Sequence, residues 1–154
     1  MLTKKGKYGL KALVDLAQLD PGETAFVTDI ATRNNIPKKF LDTILLELRN
    51  NGILRSKKGP NGGYSLSKPS DDIMIGQVIR ALDGPLAPIR CASRTAFEAC
   101  DDCADPATCQ VRLSMTEVRD AIATILDNMT LTQFVAREKN IGSEGSPRLE
   151  PQAR

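Results

Sequence analysis

The stretch IPKKFLDTILLELRNNGILRSKKGPNGGYSL, residues 36–66, sets two periods of different length back to back. Phe40, Leu41, Ile44, Leu45 and Leu48 recur at helical spacing, which predicts a helix with one buried stripe. Pro37 suits the first turn of that helix, where a missing N–H costs nothing, and Gly52 suits its end. Beyond Gly52 the period shortens. ILRSK and YSLS are strand candidates flanking KGPNGG, whose glycines and proline supply the backbone angles of a tight connection. A helix that runs into a hairpin is the second half of a winged helix, and the upstream residues supply the first half.

There, Leu10, Leu13, Val14 and Ala17 fall at i, i+3, i+4 and i+7, with Lys11, Asp15 and Gln18 on the other face. That predicts an amphipathic helix, ended by Asp20-Pro21-Gly22. Thr28 is placed to cap a short helix with Ile30 and Ala31 inward, broken by Asn34-Asn35. Two short helices joined by about three residues read as helix-turn-helix. Downstream, Ile75, Val78, Ile79 and Leu82 predict a further helix closed by Gly84-Pro85. The fold class expected is mainly α with a small β-hairpin wing: a winged helix-turn-helix DNA-binding domain over residues 1–84, followed by a long dimerisation helix.

That helix is expected over residues 111–139, with LTQFV as an added C-terminal turn. Val111, Met115, Val118, Ile122, Ile125 and Met129 step alternately by four and three, the spacing of a coiled-coil seam. Its natural cover is a second copy of the chain, so a homodimer is expected; the alternative is a helix folded back onto its own domain. Residues 140–154 hold too little apolar content to order themselves and are expected to form a disordered tail.

Charge divides the chain. Residues 1–68 carry 12 Lys and Arg against 6 Asp and Glu, whereas residues 69–154 carry 9 against 13. The basic half fits a polyanion. A helix-turn-helix lays the start of its second helix in the major groove, which here presents Lys38, Lys39, Asp42 and Thr43. The lysines suit phosphates or guanine acceptors, and Asp42 suits a cytosine amino group. An acidic group facing a polyanion is costly unless it reads a base. The hairpin tip, Lys57, Lys58, Gly59, Pro60, Asn61, Gly62 and Gly63, is basic and short of side-chain bulk, so its backbone is expected to approach double-stranded DNA.

All four cysteines, Cys91, Cys100, Cys103 and Cys109, lie within nineteen residues, in a segment (85–110) that has no sustained apolar period and reads as a loop. The basic start of the chain has no apolar stretch behind it, so no signal peptide and no membrane partner are expected, and the cytoplasm is the expected location. In that reducing compartment clustered thiols point to metal binding or redox sensing rather than structural bridges. The spacing C-x8-C-x2-C-x5-C suits one all-thiolate centre and leaves zinc and an iron–sulphur cluster both open. A cluster-free thiol switch is a third reading. Glu98, Asp101, Asp102 and Asp105 argue against it, because like charge raises thiol pKa values. The remote reading is a thiol oxidoreductase built on Cys100-Asp101-Asp102-Cys103. That chemistry needs a βαβ context, and the chain has no histidine for acid–base work, so no enzyme is expected and no catalytic residue is assigned.

KGKYGLKALVDLA, the stretch 36–66, IGQVIRALDGP and DNMTLTQFV together resemble the Rrf/IscR family of bacterial winged-helix regulators over about residues 1–139. The resemblance implies a homodimeric transcription factor, often a repressor, that carries an iron–sulphur cluster, [2Fe–2S] or [4Fe–4S], before its dimerisation helix. It places Phe40-Leu41-Asp42-Thr43 at the base-reading helix start and residues 58–63 on the wing. Cys91, Cys103 and Cys109 match the family's three cysteines, and Cys100 is additional. Where the iron–sulphur cluster regulator has a ligating histidine, three residues past the last cysteine, this chain has Arg112; in other members an acidic residue near the partner's N-terminus ligates, and this chain offers Tyr8 there. The resemblance therefore favours a cluster over zinc, with Cys100 as replacement ligand.

Overall fold

The computed structural model describes residues 2–141. Its elements in chain order are α1 (Lys4–Ala17), α2 (Val27–Asn34), α3 (Lys38–Asn50), β1 (Leu54–Lys57), β2 (Gly63–Leu66), α4 (Ile75–Asp83), α5 (Gln110–Asp127) and α6 (Leu131–Ile141), with 3-10 turns at Ser70–Asp72 and Arg90–Ala92. The expected winged helix is present. β1 and β2 pair antiparallel, Leu54 opposite Leu66 and Lys57 opposite Gly63.

Helix α1 is the hub of the domain: it packs on α2, α3, α4, α6 and β2. It therefore buries more than one stripe; Ala12 and Leu16 are enclosed along with Leu10 and Leu13. Its glycines permit the tightest of these contacts. A Cβ on Gly9 would stand 2.2 Å from a methyl of Leu82 in α4, and one on Gly6 would stand 2.3 Å from the Asp83 carboxylate. That carboxylate accepts the backbone N–H and hydroxyl of Thr3, the α1 N-cap, so the end of α4 anchors the start of α1.

Helix α3 buries Leu41, Ile44, Leu45 and Leu48 completely. Phe40, expected in the same stripe, is 36% exposed and meets Tyr8 edge-on at 5.7 Å between ring centroids. It is one helical step off the buried line and lies at the rim. Asn35, with φ 52°, ends α2 in the left-handed conformation and turns the chain into α3. The α2 cap lies earlier than expected. Phe26 holds the N-cap position without a side-chain hydrogen bond, and Thr28 is already inside the first turn.

The C-terminal region differs most from expectation. Residues 111–139 form two helices, not one. α5 stops at Asp127, and the link Asn128–Thr130 docks on the start of α4: Ile75 N–H donates to the Met129 carbonyl (2.9 Å), and Leu131 N–H to the Ile73 carbonyl (2.8 Å). Leu131 is fully buried, and Phe134 and Val135 pack against the same core. Met129, expected on the seam, packs against that core as well, because the helix carrying the seam has ended before it. The fold-back alternative thus describes α6, while no residue of α5 is fully buried. The tail expected from residue 140 lies, beyond Ile141, outside the described residues.

Leu131→Ala removes a side chain from a fully enclosed site and is expected to lower stability by about 2–5 kcal/mol. Urea unfolding monitored by circular dichroism measures it; a loss too small to detect would mean that α6 is not part of the folded core.

Candidate DNA-reading surface and cysteine centre

The α3 face opposite the core carries Lys38, Lys39 and Thr43 exposed and Asp42 half-buried, so the four expected groups share one surface at the start of the helix. Lys38 Nζ lies 3.0 Å from Asp42 Oδ2, one turn apart. The pair is exposed and contributes little to stability. Its local effect is to offset the charge of Asp42 at the start of the helix. Lys5 of α1 holds Glu47, further along α3, at 2.6 Å, which leaves Asp42 as the acidic group at the helix start.

The wing is tied down by a residue the sequence did not single out. Thr24 Oγ1 donates to the carbonyls of Asn61 (3.1 Å) and Gly62 (2.7 Å), and Ala25 exchanges backbone hydrogen bonds with Tyr64. Gly63 has φ 125°, and a Cβ there would stand 2.5 Å from the Ala25 carbonyl oxygen. Gly62 is buried under the turn, where a Cβ would stand 2.4 Å from the Lys57 carbonyl oxygen. Gly63 lets the hairpin close down on Ala25 and Phe26, and Gly62 lets the turn close on itself. Of the expected wing contacts, Gly62 is buried and Gly63 half-buried, while Lys57, Lys58, Gly59, Pro60 and Asn61 are exposed. A threonine anchoring a hairpin across 37 residues leaves no periodic signal, so only the fold could reveal it.

All four cysteines are free thiols. Cys91 is buried within the 3-10 turn Arg90–Ala92, which packs on α5; Cys100 is exposed; Cys103 and Cys109 are half-buried. Cys109 is the N-cap of α5 and accepts Leu113 N–H through its carbonyl, so its thiol stands at the positive end of an 18-residue helix. The fold brings the thiols near one another: Cys100 neighbours Cys91 and Cys103, and Cys103 neighbours Cys109. Cys100 and Cys103 both have raised pKa values. For Cys100 the chief cause is the Cys91 thiol, with Asp102 a lesser one; for Cys103 it is desolvation, followed by Cys109. The expected direction thus holds, but neighbouring thiols outweigh the acidic residues. Among the described residues no three Cys, Asp or Glu side chains gather tightly enough to grip a single metal ion.

The segment around these thiols is held by arginines. Arg90 pairs with Glu98 (2.6 Å) and Arg94 with Asp120 of α5 (2.9 Å). Arg112, at the position where the resemblance expected a ligating histidine, donates from Nε to the Cys91 carbonyl (2.9 Å) and from Nη1 to the Pro106 carbonyl (3.2 Å). Its guanidinium also lies 5.7 Å from the centre of the Phe97 ring. Cys100-Asp101-Asp102-Cys103 forms a turn, with Cys103 N–H donating to the Cys100 carbonyl, and no βαβ unit surrounds it among the described residues. No described helix is long and apolar enough to cross a membrane.

A helix-turn-helix with a basic reading helix, a folded wing and no enzyme-like constellation defines the class: a winged-helix, DNA-binding transcriptional regulator. The chain belongs to the Rrf2 family, whose model, described as an iron-dependent transcriptional regulator, matches residues 2–137. It is 43% identical over 139 residues to an rrf2-like HTH-type transcriptional regulator of Rhodobacter capsulatus, covering 88% of this chain and 93% of that one. It is 32% identical over 134 residues to the HTH-type transcriptional regulator IscR of Pectobacterium carotovorum, covering 87% and 78%. Among solved structures it is similar to CymR, the global cysteine regulator of B. subtilis, with a TM-score of 0.71 and 31% identity over 89% of this chain and 97% of that one. Like its relatives it is a regulator, not an enzyme.

Two substitutions separate reading from attraction. Lys38→Ala is expected to weaken binding to all sequences and to reduce the salt slope by about 0.9 if it meets one phosphate. Asp42→Ala is expected to relax sequence preference more than overall affinity. Binding to a selected operator and to random DNA, titrated over a salt series, measures both; equal losses on the two DNAs for Asp42→Ala would reject base reading.

Proposed function

We propose that the protein is a homodimeric regulator of transcription whose cysteine segment holds one iron–sulphur cluster and thereby reports iron, cluster or redox status to the DNA-reading helices. The observation that carries this reading is the gathering of four free thiols ahead of α5, with Cys91 in a turn packed on that helix and Cys109 at its N-cap. Cys91, Cys100, Cys103 and Cys109 would hold the cluster, whether [2Fe–2S] or [4Fe–4S], as an all-thiolate ligand set. Raised thiol pKa values at Cys100 and Cys103 weigh against a cluster-free switch, which needs thiolate.

When bound, the cluster supplies a soft crosslink that depends on iron and on redox conditions. The chain's own residues supply the transmission. Cys91 lies in the turn packed on α5, and Cys109 caps that helix, so a change in the separation of the four thiols bears on the start of α5. At its other end Asp127 binds Arg80 of α4 through two hydrogen bonds (2.6 and 2.9 Å). Regulation on this route requires two arrangements of the dimer that differ in their affinity for the bound centre.

Dimerisation rests on α5. Val111, Val118 and Ile125, seven residues apart, are 62%, 42% and 60% exposed and form one unburied apolar line, with Met115 and Ile122 half-buried beside it. A second copy covers that line, and the pair of reading helices then meets two half-sites of a two-fold-related operator. Ile125→Lys puts an unpaired charge in that interface at a cost of several kcal/mol, about 3–5 by analogy with broken buried pairs. Sedimentation is expected to give monomer with the winged helix intact, and a dimer of unchanged affinity would remove α5 from the interface.

Anaerobically purified protein is expected to be coloured and to contain iron and acid-labile sulphide. Alanine at Cys91, Cys103 or Cys109 is expected to abolish that content, and Cys100→Ala to leave a labile centre. Stoichiometric zinc without sulphide would defeat the cluster, and a full, stable cluster in Cys100→Ala would strike only that ligand.

A further inference from the structure

We propose that Arg112 is the positioning residue of the cysteine segment: its guanidinium clamps both ends of the segment onto the first turn of α5, so that the thiols stand together before any metal arrives. Arg112 reaches three separate parts of the segment at once. Nε holds the carbonyl of Cys91 across 21 residues, Nη1 holds the carbonyl of Pro106, and the guanidinium plane meets the Phe97 ring. The first of these acceptors belongs to a residue that is only 5% exposed. A buried carbonyl left without a donor is costly, so opening the clamp exposes the Cys91 turn to water. A planar fork is required, because the two carbonyls are met by different nitrogens of one guanidinium, which an ammonium cannot reproduce.

The other ties do not substitute for it. Arg90 and Glu98 are 80% and 61% exposed in their side chains, and Arg94 and Asp120 are 65% and 41% exposed. Pairs so open to solvent are screened and hold little. Arg112 is half-buried, and it sits on a helix that is itself fixed to the winged-helix core through Asp127 and the Asn128–Thr130 link. The clamp therefore refers the position of the thiols to a rigid frame. Arg112 also brings a permanent cation to the first turn of the helix that Cys109 caps, next to the segment that, on the reading proposed above, holds a negatively charged centre.

Hydrogen–deuterium exchange on the reduced, metal-free, full-length protein tests the clamp. Arg112→Ala is expected to speed exchange in residues 90–108 by about tenfold or more, with α1, α3 and the wing unchanged. Arg112→Lys is expected to restore only a small part of the protection. In protein reconstituted with iron and sulphide, Arg112→Ala is expected to lower the reduction potential of the centre and Arg112→Lys to keep it, because the charge survives while the fork is lost. Unchanged exchange in Arg112→Ala overturns the clamp, as does full protection in Arg112→Lys. Wild-type protein that takes up neither iron nor sulphide defeats the cluster reading and leaves the exchange result to decide the clamp.

Discussion

The close approach of α1 and α4 is the constraint on which the rest of the structure depends. Gly6 and Gly9 leave no side chain on the α1 surface that faces Leu82 and Asp83, so α4 lies directly against the hub helix. Larger residues there would lift α4 and with it everything attached to its two ends. Its N-terminal end receives the α5–α6 link through Ile75, and its C-terminal end caps α1 through Asp83. The same hub also carries α3, so the second helix of the helix-turn-helix and, through α4, the helix that follows the cysteines are referred to one core. Interiors packed at crystal-like density transmit such displacements rather than absorbing them.

The cysteine segment is built on a different principle. Its buried residues are few, Leu86 near its start and then Cys91, Ala92 and Ser93, and the rest is half-buried or exposed. Local structure that lacks an apolar core must be held by directional contacts, and these come from arginines and from short turns. Asp105 accepts Ala107 N–H (3.0 Å) and the Thr108 hydroxyl (3.2 Å), shaping the approach to the α5 cap. Segments held in this way sit at the low end of the stability range within a domain. That property suits a sensor, whose ligand must be able to change the local arrangement without unfolding the reader.

Much of this was legible in the residues, and the exceptions are instructive. The α3 stripe of Leu41, Ile44, Leu45 and Leu48 follows from period alone, because one face of a helix against one core produces that pattern. Phe40 has the right chemistry but sits one step off the line, where apolar character and burial part company. The steps through Val118 and Ile125 were read as a seam and do form an unburied line. Met129 continues the arithmetic of those steps but not the helix: Asn128 and Thr130 interrupt it, and the residue turns into the core. Periodicity reports spacing along the chain and is blind to a break that preserves the spacing.

What the sequence determined by itself is what short range can encode: the order of the elements, the winged helix-turn-helix, the shared surface of Lys38, Lys39, Asp42 and Thr43 at the start of α3, and four thiols gathered in nineteen residues. Tertiary structure decided how these parts are held. Thr24 pins the wing, Gly62 is buried beneath its turn, α6 returns to the core while α5 keeps one apolar line exposed, and Arg112 bonds the Cys91 carbonyl. Each of these is a single polar bond or a close contact between residues distant in the chain. Such contacts depend on where two surfaces meet and on which atoms then lack a partner, and neither quantity exists until the chain has folded.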